Sequence, residues 1–196
     1  MSFQPSIIEI QLPDWIDAFI IRHPVYISSI EDRMSFVIEA SQLNVSKGTG
    51  GPFAAAIFES ESGKLVSLGV NLVTSAGLSI LHAEVVAFAL AQKKVACYDL
   101  GGQNLPAHEL VASTEPCAMC LGATVWSGVR RVITGACDDD ARKIGFDEGP
   151  KIKEWKIELE KRGISVICDV RREEAAKVLL NYSLLGGKIY NSREAG

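Results

Sequence analysis

The chain has 196 residues and a formal net charge of −4, from 20 basic and 24 acidic side chains. Apolar residues make up 47% of the sequence, which excludes a disordered chain, and the length suits one domain with a sizeable core. No apolar run is long enough to cross a membrane, and the first residues lack the features of a secretory signal. With five cysteines, at least one is left out of any disulfide set, so we expect a reducing cytoplasm and cysteines used as ligands or core residues.

Residues 1–28 are interpreted as an N-terminal extension, with a short helix predicted over 15–23, after Pro13. The extension is too short and too charged to span a bilayer, so we expect it to pack on the core or on a partner subunit. Residues 29–196 contain no repeat and no linker and are predicted to form a single domain.

From residue 30 onward, apolar spacing and the positions of Gly and Pro predict alternating strands and helices. They are a helix at 30–46, a hairpin of strands at 53–59 and 65–73, a helix at 82–96, a strand at 109–114, a helix at 116–127, a strand at 130–136, an acidic loop at 137–150, a helix at 151–161, a strand at 164–170 and a helix at 171–185. This order predicts a three-layer α/β domain, with helices on both faces of a mixed five-stranded sheet and parallel pairing in its later part.

Two short motifs carry residues of chemical interest, and each opens an apolar helix. His82-Ala83-Glu84 begins the helix at 82–96, and Pro116-Cys117-Ala118-Met119-Cys120 begins the helix at 116–127. Pro116 suits the first helical position, and cysteines three residues apart lie on one face of a helical turn. The positive end of a helix lowers the pKa of a thiol and so favours metal binding. We therefore expect the two motifs to meet at a metal ion, where the N-termini of the two helices lie together.

One nitrogen and two sulfur atoms, from His82, Cys117 and Cys120, form a ligand set that suits tetrahedral zinc. Three protein ligands leave the fourth position open to water, as in a catalytic site, and Glu84 is then available to carry a proton. A redox pair, or a buried histidine with two inert thiols, would explain either motif alone, and a zinc-stabilised binding module is the non-enzymatic alternative. Such a module has no use for Glu84, so the two motifs together favour catalysis. The other cysteines and histidines lack ligand-like spacing and are interpreted as structural: His23, His108, Cys97, Cys137 and Cys168.

With these motifs the chain resembles the zinc deaminases of the cytidine-deaminase fold, in the branch whose first ligand is histidine. Within that superfamily, residues 47–148 are most similar to bacterial guanine deaminases. The matching stretches are Gly50 to Ala55, Asn71, His82 to Glu84, Glu115 to Ala123, Trp126, and Gly145 to Glu148. The chain departs from those relatives in the GLSIL stretch before His82 and in a longer segment between His82 and Cys117.

The resemblance implies a hydrolase that converts guanine into xanthine and ammonia, by attack of a zinc-bound hydroxide on the ring carbon that carries the amine. Glu84 is then the proton carrier, and a second acid is expected near the leaving amine. The resemblance favours Glu148 over Asp147 for this role. The alternative is that both carboxylates cap the helix predicted to start near Pro150.

The same resemblance implies a pocket for a flat nucleobase. Asn71 offers a donor and an acceptor to the edge of a purine, although an ordinary turn asparagine is the alternative. Phe53 and Trp126 have rings that can sandwich a base, although aromatic residues at such positions also serve as core. Ala83, between the first ligand and the proton carrier, is the fourth residue assigned to substrate binding.

Two other activities of the superfamily remain open. A tRNA adenosine deaminase shares the zinc motifs but needs a basic groove, which the acidic chain and its mixed C-terminal helix count against. A cytosine or nucleotide deaminase is the other alternative. A nucleotide would need basic residues near the pocket, and the sequence does not show which of its basic residues lie there.

We expect a homodimer, because the helices at 82–96 and 116–127 are apolar nearly all round and would be covered on more than one side. The resemblance implies that the C-terminal segment crosses to the partner subunit and helps to close its site, with Tyr190 as the candidate residue. The expected partners are therefore a small nucleobase or related amino-heterocycle and a second copy of the chain, without nucleic acid or membrane.

Overall fold

Five strands form one mixed sheet at the centre of the computed structural model, which describes residues 4–193. The strands are β1 Ala54–Glu59, β2 Leu65–Val70, β3 His108–Thr114, β4 Arg131–Ala136 and β5 Ser165–Ile167. They lie in the order β2-β1-β3-β4-β5, and β1 is antiparallel to both of its neighbours. The strands β3, β4 and β5 run parallel, so the expected sheet and its later parallel part are confirmed.

Helices cover both faces of this sheet. They are α1 Trp15–Ile21, α2 Ile30–Ser46, α3 Val73–Ala76, α4 Ala83–Val95, α5 Ala118–Ser127, α6 Asp138–Lys143, α7 Trp155–Glu160 and α8 Arg172–Leu184. Buried residues of α1, α2 and α8 form one hydrophobic cluster with the sheet, and most of those of α4, α5 and α7 form a second cluster. Strands whose residues are buried on both faces read as continuous apolar runs, as β1 and β2 do.

The helix α1 packs against the core through Ile16 and Phe19, both fully buried. The Phe19 ring lies 4.9 Å from the ring of Phe36 on α2, measured between centroids. The N-terminal segment is therefore tied to the same hydrophobic cluster as α2 and α8. Among residues 4–193, no helix is both long and apolar enough to cross a bilayer.

The structure corrects the start of the helix at 116–127. This helix, α5, begins at Ala118, and Cys117 is its N-cap with an extended backbone at ψ 174°. The carbonyl of Cys117 accepts the first helical hydrogen bond, from the amide of Leu121 at 2.9 Å. Pro116 therefore lies outside the helix, where it fixes the approach of the chain to the cap.

The region after β4 also differs from the prediction. The acidic loop at 137–150 contains α6, because the Asp140 carboxylate accepts the backbone amide of Cys137 at 3.1 Å and three aspartates occupy the positive first turn. The strand at 164–170 is reduced to β5, because Asp169 and Arg171 turn the chain with positive φ angles of 62° and 50°. The helix at 151–161 is shortened to α7.

A buried ion pair joins α2 to the sheet. Arg33 pairs with Glu109 on β3, and both side chains are almost fully buried. Arg33 also donates to the carbonyls of Ile27 at 2.7 Å and Ser28 at 3.1 Å, while Glu109 pairs with Arg131 at 3.2 Å. This network fixes the entry of α2 against the strand that leads to the site described below.

Replacing Arg33 by methionine leaves the Glu109 carboxylate buried with one partner. We expect Arg33→Met to lower the free energy of unfolding by about 3 kcal/mol, because the buried Glu109 carboxylate then keeps only its pair with the partly exposed Arg131. Lys64→Met is the matched control, since it removes the more exposed Lys64–Glu59 pair and should cost less than about 1 kcal/mol. Urea unfolding measures both, and equal losses in the two variants would contradict this interpretation.

Candidate active site

Two helix N-termini meet beside the carboxyl end of β3. His82 is the N-cap of α4, with an extended backbone at φ −66° and ψ 154°, and Cys117 is the N-cap of α5. The strand β3 ends at Thr114, only three residues before Cys117. Because a capping residue points its side chain past the helix end, both motifs project to the same edge of the sheet.

The three expected ligand side chains come together there. The Nδ1 atom of His82 lies 3.5 Å from the Sγ of Cys117 and 3.7 Å from the Sγ of Cys120. One potential ligand atom from each residue lies within 4.8 Å of the others. Nitrogen and sulfur atoms bound to one tetrahedral zinc are separated by about 3.5 Å, so the donor set fits this metal in spacing as well as in chemistry.

The electrostatics of the two thiols also suit a cation. Hydrogen bonding from Cys120 and from His82 lowers the pKa of Cys117 to about 4, despite burial. The bond to Cys117, together with burial, raises the pKa of Cys120. The pair thus holds one ready thiolate and one thiol, and a bound divalent cation would stabilise the second thiolate.

Glu84 is buried in the first turn of α4 and faces the same cavity as the ligand set. Burial raises the pKa of its carboxyl group, and the negative charge of Cys117 adds to the increase. A carboxyl group of this kind can accept and return a proton near neutral pH.

The cavity has a volume of about 320 Å³ and is lined by residues from strands, helix ends and the C-terminal segment. Two of the expected zinc ligands, His82 and Cys117, line it, together with four other expected site residues: Phe53, Asn71, Glu84 and Glu148. Such a volume is at the small end of ligand pockets and suits a single small heterocycle.

Glu148 lies on the loop between α6 and α7 and is only 6% exposed. Burial raises its pKa to about 8, with further increases from the negative charges of Cys117 and Glu84. Its backbone carbonyl accepts the amide of Ala118 at 3.0 Å, which joins the loop to the first turn of α5. Because α7 begins only at Trp155, Glu148 does not cap that helix.

Asp147 differs from Glu148 in both exposure and contacts. Its carboxylate is 63% exposed, accepts the amide of Gly149 at 2.8 Å, and lies 3.9 Å from Arg142. It closes a tight turn in the loop, and Glu148 is the buried acid.

Asn71 follows β2 and is buried. Its position is compatible with both roles considered for it, a turn residue and a substrate-binding residue. Its Oδ1 accepts the amide of Val73 at 3.2 Å, as in an ordinary turn. Its Nδ2 donates to no acceptor among residues 4–193, and the residue lines the cavity. Phe53 lines the same cavity, with its ring 4.9 Å from the ring of Phe146 in an edge-to-face arrangement.

Two expected substrate residues lie elsewhere. Trp126 is 83% exposed near the end of α5, about 13 Å along the helix axis from Cys117, and does not line the cavity. Ala83 is fully buried in the cluster between α4 and the sheet, so its side chain does not reach the cavity either. In both cases the helical face decides: Trp126 faces outward and Ala83 faces the sheet.

The C-terminal segment lies against the cavity of its own chain in this structure of a single chain, and its exchange between subunits stays a prediction. Tyr190 lines the cavity, with its ring 5.0 Å from that of Phe146, and its hydroxyl lies over Gly51, where a Cβ would come within 2.3 Å. Asn191 donates to the carbonyl of Gly145 at 2.9 Å and accepts the amide of Asp147 at 2.8 Å. The contact between Phe146 and Tyr190 and the hydrogen bonds of Asn191 depend on this return of the chain, which no local pattern predicts.

The family model for the cytidine and deoxycytidylate deaminase zinc-binding region matches residues 27–136, more than half of the chain. The chain belongs to this family of zinc-dependent deaminases. Its fold is the cytidine-deaminase fold, its cofactor is zinc, and it is a hydrolase acting on C–N bonds.

Guanine deaminases are prominent among the similar proteins. The one from Bacillus subtilis (strain 168) is 38% identical over 120 residues, 61% of this chain and 72% of that protein. The solved guanine deaminase from Nitrosomonas europaea is 41% identical with a TM-score of 0.88, over 93% of this chain and 100% of that one. A tRNA-specific adenosine deaminase from Buchnera aphidicola is 32% identical over 119 residues, 61% of this chain and 72% of that protein.

Removing one thiolate should abolish zinc binding. We expect the wild-type protein to bind one zinc ion per chain and Cys117→Ala to lose it, because two remaining ligands hold zinc weakly. Cys97→Ala is the matched control. Cys97 contacts the carbonyl of Asp99, so this variant should retain its full zinc content. Elemental analysis after gel filtration measures both, and full zinc in Cys117→Ala would refute the ligand set.

Proposed function

We propose that this deaminase converts guanine and water into xanthine and ammonia, with zinc held by His82, Cys117 and Cys120. The proposal depends on one observation: Glu148 is a second buried carboxyl group in the cavity that contains Glu84. Removal of the amine requires a proton at a ring nitrogen and another at the departing group, and two acids match these two protonations. Similarity along almost the whole chain to the Nitrosomonas guanine deaminase supports the same substrate.

The reaction replaces the C2–N bond of guanine by a C2–O bond. Zinc bound at the three ligands would supply Lewis-acid chemistry that lowers the pKa of a water to ~7. Glu84 accepts one proton of the attacking water and returns it to the ring nitrogen beside C2. Its burial supports this role, because a raised pKa allows the carboxyl group to hold a proton between the two transfers.

Glu148 serves the departing amine. Burial is the largest cause of its raised pKa and favours a protonated carboxyl group, which can donate to the amine nitrogen as the C2–N bond breaks. The second proton of the attacking water then restores the acid, and ammonia leaves. The exposed carboxylate of Asp147 does not have this environment.

The walls of the cavity suit a flat, uncharged purine. The free Nδ2 of Asn71 donates to an acceptor on the purine edge, and the rings of Phe53 and Phe146 form an apolar side. Tyr190 lies over the cavity and limits its size, which favours a free base over a nucleoside.

A tRNA adenosine deaminase is the second candidate, since such a protein from Buchnera is 32% identical. Nucleic acids and nucleotides need basic contacts for their phosphates. Among the residues that line the described cavity there is no lysine or arginine, whereas four are acidic: Glu84, Glu115, Asp147 and Glu148. This charge pattern favours a free base.

We also propose that two copies of the chain associate through α5. Its outward face presents an apolar stripe of Met119, Gly122, Val125 and Trp126, at helical spacing. Exposed apolar side chains that are contiguous on one helix face mark protein interfaces.

We propose a location in the reducing cytoplasm, because the five cysteines are free.

An ammonia-release assay tests the substrate. We expect guanine to be turned over faster than adenine, cytosine, cytidine, adenosine or tRNA, because the cavity fits a free purine with its amine toward Glu148. The control is Glu84→Gln, which should keep its zinc and lose at least ~10²-fold in rate, so that the ammonia is traced to this site. Faster release from cytosine or from tRNA would overturn the substrate assignment.

Light scattering tests the association. We expect the wild-type mass to be twice the chain mass of 21.2 kDa, and Trp126→Glu to weaken the dimer because a charge would be buried in the contact. Ile21→Glu is the matched control, since Ile21 is also highly exposed but lies on α1, whose buried residues belong to the other hydrophobic cluster. A monomeric wild type at micromolar concentration would contradict the proposal.

A further inference from the structure

A buried lysine lies three residues after Glu148. The side chain of Lys151 is 7% exposed, and its Nζ lies 3.0 Å from Oε2 of Glu115 and 3.2 Å from Oδ1 of Asp138. The ammonium group also lies 4.9 Å from the centroid of the Trp155 ring. The proposed reaction gives none of these four groups a chemical step.

The surroundings of the Lys151 ammonium group strongly favour one position of this side chain. A buried ammonium group is costly unless paired, and here two carboxylates and an aromatic face surround it. Glu115 is itself 9% exposed, and its Oε2 also accepts the amide of Asp138 at 3.3 Å. A shift of Lys151 would leave these buried charges unpaired, so the network fixes its backbone.

The partners of Lys151 belong to the wall of the site. Glu115 precedes Pro116 and Cys117, and Asp138 opens α6, which leads into the Glu148 loop. Residues 146–152 have no regular secondary structure, so side-chain contacts and isolated backbone bonds set their position. One flank of this loop is held by Asn191, through Gly145 and Asp147, and the other by Lys151.

We propose that Lys151 is a positioning residue for Glu148. By pairing with Glu115, it fixes the loop that carries Glu148 at a set distance from the segment that carries Cys117. The backbone bond from the Ala118 amide to the Glu148 carbonyl completes the attachment. This inference rests on the proposed role of Glu148 as the second acid.

A double-mutant cycle tests it with guanine as substrate. Glu148→Gln alone should slow turnover by at least ~10²-fold. Lys151→Met should lower kcat by about tenfold or more with KM changed much less, because loss of a supporting contact displaces a group that acts in the transition state. In the Glu148→Gln background, Lys151→Met should have almost no further effect, because its contribution passes through Glu148.

Two further variants separate positioning from folding. Lys156→Met is the matched control: Lys156 lies on the same Trp155 ring at 5.5 Å and 3.7 Å from Glu115, but it is 47% exposed, and its loss should change kcat less than twofold. Glu115→Gln weakens the same pairing from the opposite side with little change in shape. It should reproduce the loss of kcat and also lose its effect when Glu148 is glutamine. Zinc content and circular dichroism are measured for every variant.

Each outcome decides between the two roles. Equal losses from Lys151→Met in both backgrounds would show a general structural role and overturn the inference, as would an unchanged kcat in Lys151→Met. If Lys151→Met fails to fold, the Glu115→Gln cycle gives the same decision. An unchanged rate in Glu148→Gln alone would instead remove the second acid from the proposed function, and the inference would fail with it.

Discussion

The site depends on the meeting of two helix N-termini at the carboxyl end of β3. Each helix begins at a capping residue that is also an expected zinc ligand, His82 for α4 and Cys117 for α5. The positive helix ends favour thiolate over thiol, and the extended backbone of each cap turns its side chain away from the helix. Two helices packed against one sheet thus bring together ligands that lie far apart in sequence, and the cavity forms beside them.

Buried carboxyl groups divide into two kinds in this protein. Glu109 and Glu115 are paired with arginine or lysine, and they hold α2 and the Glu148 loop in place. Glu84 and Glu148 have no such ion pair among residues 4–193, and burial raises the pKa of each. Unpaired buried acids are costly to keep, and their presence in one cavity is typical of proton transfer.

The sequence predicted the parts of the molecule that depend on local pattern. The hairpin, the parallel strands and the ligand motifs follow from apolar period, turn residues and spacing, and the structure has the three side chains within reach of one ion. The substrate role of Trp126 stays a prediction: its ring is exposed on α5 outside the cavity, and the sequence of an apolar helix does not show which face is covered. Lys151 and Asn191 could not be predicted, since their partners come from distant parts of the chain.

X-ray absorption spectroscopy at the zinc edge tests the central claim, that His82, Cys117 and Cys120 form a three-ligand site with an open position. We expect two sulfur atoms at ~2.3 Å and two nitrogen or oxygen atoms at ~2.0 Å, one from His82 and one from solvent. Addition of a guanine analogue should change the nitrogen and oxygen shell and leave the sulfur shell unchanged. A shell of three or four sulfur atoms, or a spectrum that does not change when the analogue is added, would contradict a three-ligand site with an open position.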